Sequence, residues 1–270
     1  MRARIVFVVT LVSIGAAVLA AGVASVFSHL GPAQLFVCVA VMLIVEAVLL
    51  TGIFERRAPI FGTVFWSGPK DLRAIAITFD DGPNEPYTSQ VLDILKTSGV
   101  RAAFFMVGEN IERFPDAVKR AAEEGHEIGN HGYDHSVLPI KSPAYIRSQI
   151  VRTCDLIEKI TGAGPALFRA SHGWRNPWVN GIAREAGCLP VAWTLGVWDT
   201  DRPGAAVIVR RTLNGLGNGC VLLLHDGRGT EHGADTSQLV EALPAVIRGA
   251  RDAGYRFLTL SEMAQERSRR

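Results

Sequence analysis

No two of the four cysteines, Cys38, Cys154, Cys188 and Cys220, stand in a CxxC pair. That absence excludes a zinc ribbon and leaves no disulfide framework, so free buried thiols are the expectation. An excess of one charge is also lacking: 28 Lys and Arg against 26 Asp and Glu leave a net +2. Without a basic stripe there is no reason to expect nucleic acid as a partner. Internal repeats and low-complexity tracts are absent as well. What the chain has in excess is apolar residues. Its mean hydropathy of +0.20 is high for an enzyme that works wholly in water.

The excess is concentrated at the N-terminus. Residues 5–27 carry no charge, and residues 33–54 carry only Glu46. Each run is long enough to cross roughly 30 Å of hydrocarbon as a helix. Ser28-His29-Leu30-Gly31-Pro32 between them reads as a turn, which gives a transmembrane helical hairpin over residues 1–57. A cleavable signal peptide is the other reading of the first run, with Arg2 and Arg4 as its n-region and the small residues 20–24 near a cleavage site. Arg2 and Arg4 precede the first run, and Arg56, Arg57, Lys70 and Arg73 follow the second, while the turn has neither Lys nor Arg. That asymmetry puts both ends in the cytoplasm. The expectation is a two-span anchor in the inner membrane with the globular part facing the cytoplasm and the bilayer as a partner. Glu46 near mid-span is either functional or a protonated group bonded to its hairpin partner or another copy.

Residues 58–70 read as a linker and residues 71–265 as one globular domain. Short apolar runs at 74–79, 102–107, 127–130, 167–169, 189–194, 220–225 and 255–258 alternate with helical patterns at 87–98, 115–124, 143–161, 178–186, 205–213 and 237–253. Alternation of this kind argues for parallel βα units. About seven strands without a long interruption predict an α/β fold, a distorted, closed or nearly closed (β/α) barrel.

Polar residues collect where βα barrels keep their chemistry, at the C-terminal ends of strands. The first strand ends in Thr78-Phe79-Asp80-Asp81-Gly82-Pro83. Successive strand residues point to opposite faces, so both carboxylates reach one site only if Gly82-Pro83 breaks the strand. An acidic turn or helix cap explains an Asp-Asp pair equally well. The third strand leads into His131-Gly132-Tyr133-Asp134-His135, a pair spaced i, i+4 that on a helical turn would share one face and one metal ion. Alone, such a pair is more often a solvated face. With a carboxylate it becomes an Asp-His-His site suited to zinc or a similar divalent ion. His225 ends an apolar strand, and is either a core histidine or a general acid that Asp199 would orient. Arg169 would hold a carboxylate. The glycine-containing loop 226–235 is either a mobile rim over the site or a passive surface loop.

Taken together these segments resemble the NodB-homology polysaccharide deacetylases, carbohydrate esterase family 4, over about residues 73–260. Thr78-Phe79-Asp80-Asp81-Gly82-Pro83 is similar to the family's first motif in full, His131-Gly132-Tyr133-Asp134-His135 to the second, and Leu223-Leu224-His225-Asp226 to the fifth. Phe168-Arg169-Ala170-Ser171-His172-Gly173 resembles the third, with Ala170, Ser171 and His172 departing from its Pro-Pro-Tyr. In the fourth, aligned on Trp193, Asp199 falls on the key aspartate, Gly196 and Thr200 replace an Asp and a Trp, and Asp201 competes. The resemblance implies metal-dependent removal of an N-acetyl or N-formyl group from an amino sugar, lipid-linked or polymeric. By position Asp80 would be the base, Asp81, His131 and His135 the ligands of a divalent metal such as zinc, and His225 the acid. Arg169 would tether Asp80, and Asp199 would tune His225. Ser171, His172, Gly173, Trp198 and Leu224 would line the sugar site. Two alternatives stand beside a lipid-linked substrate at the cytoplasmic face: a deacetylase of peptidoglycan, chitin-like or exopolysaccharide polymer outside the cell, and a non-catalytic sugar-binding relative.

Overall fold

The computed structural model describes residues 31–269 and, apart from them, Gly15 alone. The chain divides between Glu55 and Arg56 into two compact units. The first contains helix α1 (Pro32–Phe54), which by length and composition is able to cross a membrane. Its 23 residues rise about 35 Å. Pro32 stands at its first turn, where a missing N–H costs no helical bond. The expected first span and most of the turn lie outside the described residues, so the hairpin is not visible in them. Gly15 is helical, and a methyl group there would meet a Glu46 carboxylate oxygen at 2.6 Å.

The second unit is a curled parallel sheet wrapped by helices. In chain order it runs β1 (Ala74–Asp80), α2 (Tyr87–Ser98), β2 (Ala103–Met106), α3 (Gly108–Arg113), α4 (Pro115–Glu123), β3 (Glu127–Asn130), α5 (Pro143–Thr161), β4 (Leu167–Phe168), α6 (Val179–Glu185), β5 (Leu189–Pro190), β6 (Leu195–Gly196), α7 (Ala205–Gly215), β7 (Cys220–His225), α8 (Ser237–Asp252), β8 (Arg256–Phe257) and α9 (Leu260–Ser268). Among the described residues eight strands form one sheet, ordered β5-β4-β3-β2-β1-β7-β6, with β8 paired to the start of β1.

Closure of the barrel is the expectation that needs correcting. The edge strands β5 and β6 are two residues each and do not pair with each other. Part of the expected linker stands in the seam instead. Phe65 bridges to Val191 just after β5, and Ser67 bridges to Cys220 in β7. The run 189–194, expected as one strand, is therefore interrupted. The result is a curled half-barrel.

Period-two alternation sorts the strands between two cores. Ile75, Ile77 and Phe79 of β1 pack outward with Phe104, Leu222 and Leu224 against α2 and α8. Ala74, Ala76, Ala103, Phe105, Val221 and Leu223 face inward with Trp193. The helices end as their sequences dictate: Gly99 closes α2 in the left-handed region at φ 59°, a conformation cheap only for glycine. Ser142 caps α5 through the Tyr145 N–H, with Pro143 in the first turn. Two helices escaped the sequence pattern, α3 and α9, although the Thr259–Glu262 capping box at the start of α9 is a visible signal.

Phe79 and Phe104 stack at 4.9 Å in the outward core, both fully buried. Phe79→Ala is expected to cost about 3–5 kcal/mol by lost burial and cavity formation. The urea midpoint of the full chain in detergent reads the loss, and an unchanged midpoint would mean that Phe79 is not packed as described.

Candidate active site

Asp80 is the last residue of β1, buried to 3 % exposure. Asp81 follows at φ 74°, the left-handed region. This break overrides the alternation that would send the two side chains to opposite faces, and both carboxylates turn to one place. Asn110 secures the break by donating from its side-chain amide to the Asp81 carbonyl at 2.8 Å, and to Gly229 O at 2.8 Å.

Register places the remaining groups. Asp80 pairs with His225 across β1 and β7, and Asn130 pairs with Phe168 across β3 and β4, so His131 and Arg169 emerge side by side. The His131 Nδ1–H donates to the Arg169 carbonyl at 2.8 Å, which leaves Nε2 as the electron pair turned to the carboxylates. His131 Nε2 lies 3.4 Å from Asp81 Oδ1 and 3.7 Å from Asp80 Oδ2. His135 Nε2 lies 3.0 Å from the same Asp81 oxygen. The i, i+4 pair does not owe this to a helix. Residues 131–137 form a loop, and His135 sits at φ 55°. Left-handed backbone at His135, not helical spacing, turns the second imidazole back.

Asp81 Oδ1, His131 and His135 bring their ligand atoms within 4.8 Å of one another. Asp81 Oδ1 is buried and has no well-aligned hydrogen bond despite the two imidazole nitrogens beside it. Burial would raise the Asp81 pKa, but His135, His131 and His225 outweigh it and hold the carboxyl well below its usual range. Two imidazole nitrogens and an ionised carboxylate oxygen facing one point, none donating well to another, are the donor set of a divalent metal site.

Asp80 is held differently. Arg169, with no exposed surface, donates from Nη1 to Asp80 Oδ1 at 2.5 Å and to Thr78 Oγ1 at 2.9 Å, and from Nη2 to Ala192 O at 3.2 Å. Its guanidinium lies 4.0 Å from the Phe105 ring centroid. Oδ1 is thereby committed, and Oδ2 faces the histidines. His225 is fixed by both oxygens of Asp199: Oδ1 accepts from Nδ1 at 2.9 Å and Oδ2 from the backbone N–H at 2.7 Å. Burial would lower the His225 pKa, yet Asp199, then Asp81 and Asp80, raise it to about 10. Asp201, the competing candidate, is exposed.

The residues expected to line the sugar site divide. His172 is exposed at φ 60° and meets His135 edge-on at 4.5 Å. Trp198 is 45 % exposed beside Asp199. A Cβ on Gly173 would collide with the Trp193 ring, so only glycine allows that approach. Ser171 is buried, and its hydroxyl donates to the His131 carbonyl at 3.0 Å, behind the ligand loop. Leu224 needs correcting. It is fully buried on the outward face, and alternation puts Leu223 on the same face as His225. Asn110 and Asn84 carried no signal in the sequence, and Asp226 entered only as the last residue of the fifth motif. Asp226 accepts from Thr88 Oγ1 at 2.6 Å, and burial pushes its carboxyl up to about 7. Asn84 donates to Asp226 O at 3.1 Å, tying the Gly82-Pro83 loop to the end of β7.

This fold recurs in known proteins. The sequence profile of the polysaccharide deacetylase family matches residues 67–191. A peptidoglycan-N-acetylglucosamine deacetylase of Bacillus cereus is 39 % identical over 207 residues, covering 75 % of this chain and 93 % of the relative. A chitooligosaccharide deacetylase of Rhizobium leguminosarum bv. trifolii is 32 % identical over 214 residues, covering 77 % of this chain and all of the relative. Among solved structures, a peptidoglycan N-acetylglucosamine deacetylase in complex with an N-oxidanyl-benzamide superposes with a TM-score of 0.70 at 35 % identity, covering 74 % of this chain and 92 % of that one. The chain belongs to the polysaccharide deacetylase family, hydrolases of the amide bond that carries an acetyl group on an amino sugar.

Proposed function

We propose that this chain removes N-acetyl groups from the amino sugars of a peptidoglycan-type or chitin-like polymer, with Asp80 as general base and His225 as general acid. The observation that carries the reading is the convergence of Asp80, Asp81, His131, His135 and His225 at the ends of three strands. A divalent cation, zinc by the nature of the donor set, held by Asp81, His131 and His135 would supply Lewis acidity toward the acyl oxygen and the attacking water. Asp80 Oδ2 takes the proton from that water, while Arg169 holds the other oxygen and keeps the carboxylate aimed. His225, protonated through neutral pH and fixed by Asp199, gives its Nε2 proton to the departing nitrogen. The C–N bond breaks, and acetate and a free amine leave. His172 and Trp198, both exposed beside the site, supply the surface for the sugar. The presence of the base, the acid and the three donors argues against a non-catalytic sugar-binding role.

Helix α1 serves as anchor or signal sequence, and we place residues 56–270 as the catalytic domain. The lipid-linked substrate, with a two-span anchor and a cytoplasmic-facing domain, is the second reading. It rests on the Lys and Arg asymmetry, but three of those arginines have a folding role. Arg56 donates to Trp193 O at 2.9 Å and Arg57 to Thr194 O at 3.0 Å, each stacked over a tryptophan, and Arg73 donates to Ala253 O. Charges that the domain itself uses carry less weight as topology signals. A polymer substrate requires the domain to emerge on the outer side.

Three outcomes test this reading. Asp80→Asn is expected to bind Zn2+ as the wild type does by calorimetry yet lose about 10²–10⁴-fold in kcat/KM; His131→Ala is expected to lose both. Wild-type turnover by the first variant would remove Asp80 as base. Asp199→Asn deletes the charge that holds the proton on His225, so the alkaline limb of the kcat/KM–pH profile should move down by about one unit or more. An unmoved limb would separate Asp199 from the acid. Acetate release from purified peptidoglycan or chitooligosaccharide, together with activity of alkaline phosphatase fused at the C-terminus, is expected. An inactive fusion with deacetylation only of lipid-linked sugars would establish the second reading instead.

A further inference from the structure

Away from the active site, two thiols 34 residues apart in sequence lie face to face. Cys154 of α5 and Cys188, just before β5, have their sulfurs 3.9 Å apart. Both cysteines belong to the same apolar cluster as Ile146, Ile150, Phe168 and Ile182. Their environments are unequal. Cys188 is buried and its S–H donates to the Pro165 carbonyl at 3.1 Å. Cys154 is half-buried, and its sulfur accepts from the Asn130 side-chain amide at 3.2 Å. The other two cysteines have no such arrangement: Cys220 is fully buried within β7, and Cys38 lies in α1.

We propose that Cys154 and Cys188 are a redox-active dithiol that closes to a reversible disulfide in an oxidising compartment, stapling α5 to the start of β5. Closure needs the sulfurs to move from 3.9 Å to bonding distance of about 2.05 Å. Cys154 is the attacking group. It is the more accessible of the two, and its sulfur receives an N–H. The neighbouring Cys188 thiol and the Asn130 amide lower the Cys154 pKa to about 7 against the opposing effect of burial, while the Cys188 pKa is raised.

The oxidant is a small disulfide such as oxidised glutathione. The Cys154 thiolate attacks one of its sulfurs, the glutathione S–S bond breaks, and one glutathione thiolate leaves and takes up the proton that Cys154 gave to solvent. The Cys188 sulfur then attacks Cys154 Sγ, the mixed disulfide breaks, and the Cys188 proton goes to the second departing thiolate. Two protein thiols are oxidised, and one disulfide is reduced to two thiols.

The staple reaches the active site through one residue. The Asn130 amide donates to both Cys154 Sγ and Ile150 O of α5, and its Oδ1 accepts from the Gly132 N–H at 2.8 Å. Asn130 is the neighbour of His131, so a clamp on α5 fixes the backing of the histidine loop.

The test uses the full chain in detergent, equilibrated in glutathione buffers from fully reduced to fully oxidised. After acid quenching, free thiols are alkylated and the protein is digested without reductant. The expected result is a cross-linked peptide joining Cys154 to Cys188, lighter by two hydrogens than its parts. The oxidised protein should melt about 5–10 °C higher than the reduced one, and dithiothreitol should reverse both changes. Cys154→Ser and Cys188→Ser should each abolish the cross-link and the shift. The wild type, compared with itself in two redox states, keeps the test independent of whether either variant folds. Full alkylation of both thiols in the most oxidising buffer would overturn the proposal. So would a cross-link to Cys38 or Cys220, or a Cys154–Cys188 bond that leaves the melting temperature unchanged. None of these outcomes depends on the catalytic reading.

Discussion

Burying a carboxylate to 3 % exposure is costly unless it is paired and hydrogen-bonded, and Arg169 supplies that partner for Asp80. The guanidinium has no exposed surface of its own, and its two Nη atoms are bonded at two strand ends: to Asp80 and Thr78 on β1, and to Ala192 beyond β5. Removing either partner would strand a charge in the inward core beside Phe105 and Trp193. The pair therefore joins folding to function. It draws the curled sheet together across its interior, and it spends one oxygen of the carboxylate on structure while the other faces the site.

Around that pair the side chains divide by chemistry. Asp80 is engaged by an arginine, Asp81 by imidazoles, and His225 by the carboxylate of Asp199. Two adjacent aspartates thus receive different surroundings, an arginine for one and imidazoles for the other, because a single left-handed residue ends β1. The loops supporting this are fastened to one another by buried amides, Asn84 and Asn110, and by Asp226, whose carboxylate fills the space where any side chain on Gly82 would go.

Much of this was legible in the sequence, and the failures have physical causes. Strand ends were readable because apolar runs stop at Asp80-Asp81, at Asn130-His131, at Arg169 and at His225, where a polar group at a sheet edge needs a reason. Helix ends were readable from glycines such as Gly99. What could not be read were features set by tertiary contact. The two imidazoles at 131 and 135 meet through the left-handed turn at His135, and no spacing rule distinguishes that from a helix. The gap in the barrel depends on Phe65–Ser67 occupying the seam, a pairing between residues more than a hundred apart. The choice between Leu223 and Leu224 was available from alternation back from His225, since residues two apart share a face. The approach of Cys154 to Cys188 had no local signature, because the two lie 34 residues apart and meet only through tertiary packing.

The central test is whether Asp81, His131 and His135 hold one cation while Asp80 stands beside it unbound, tied to Arg169. An anomalous difference map recorded at the zinc edge from crystals of the zinc-loaded protein reads this directly. A single strong peak within bonding distance of Asp81, His131 and His135, with the Asp80–Arg169 pair intact, is expected. A peak elsewhere, or one bonded to Asp80 in place of Asp81, would contradict it.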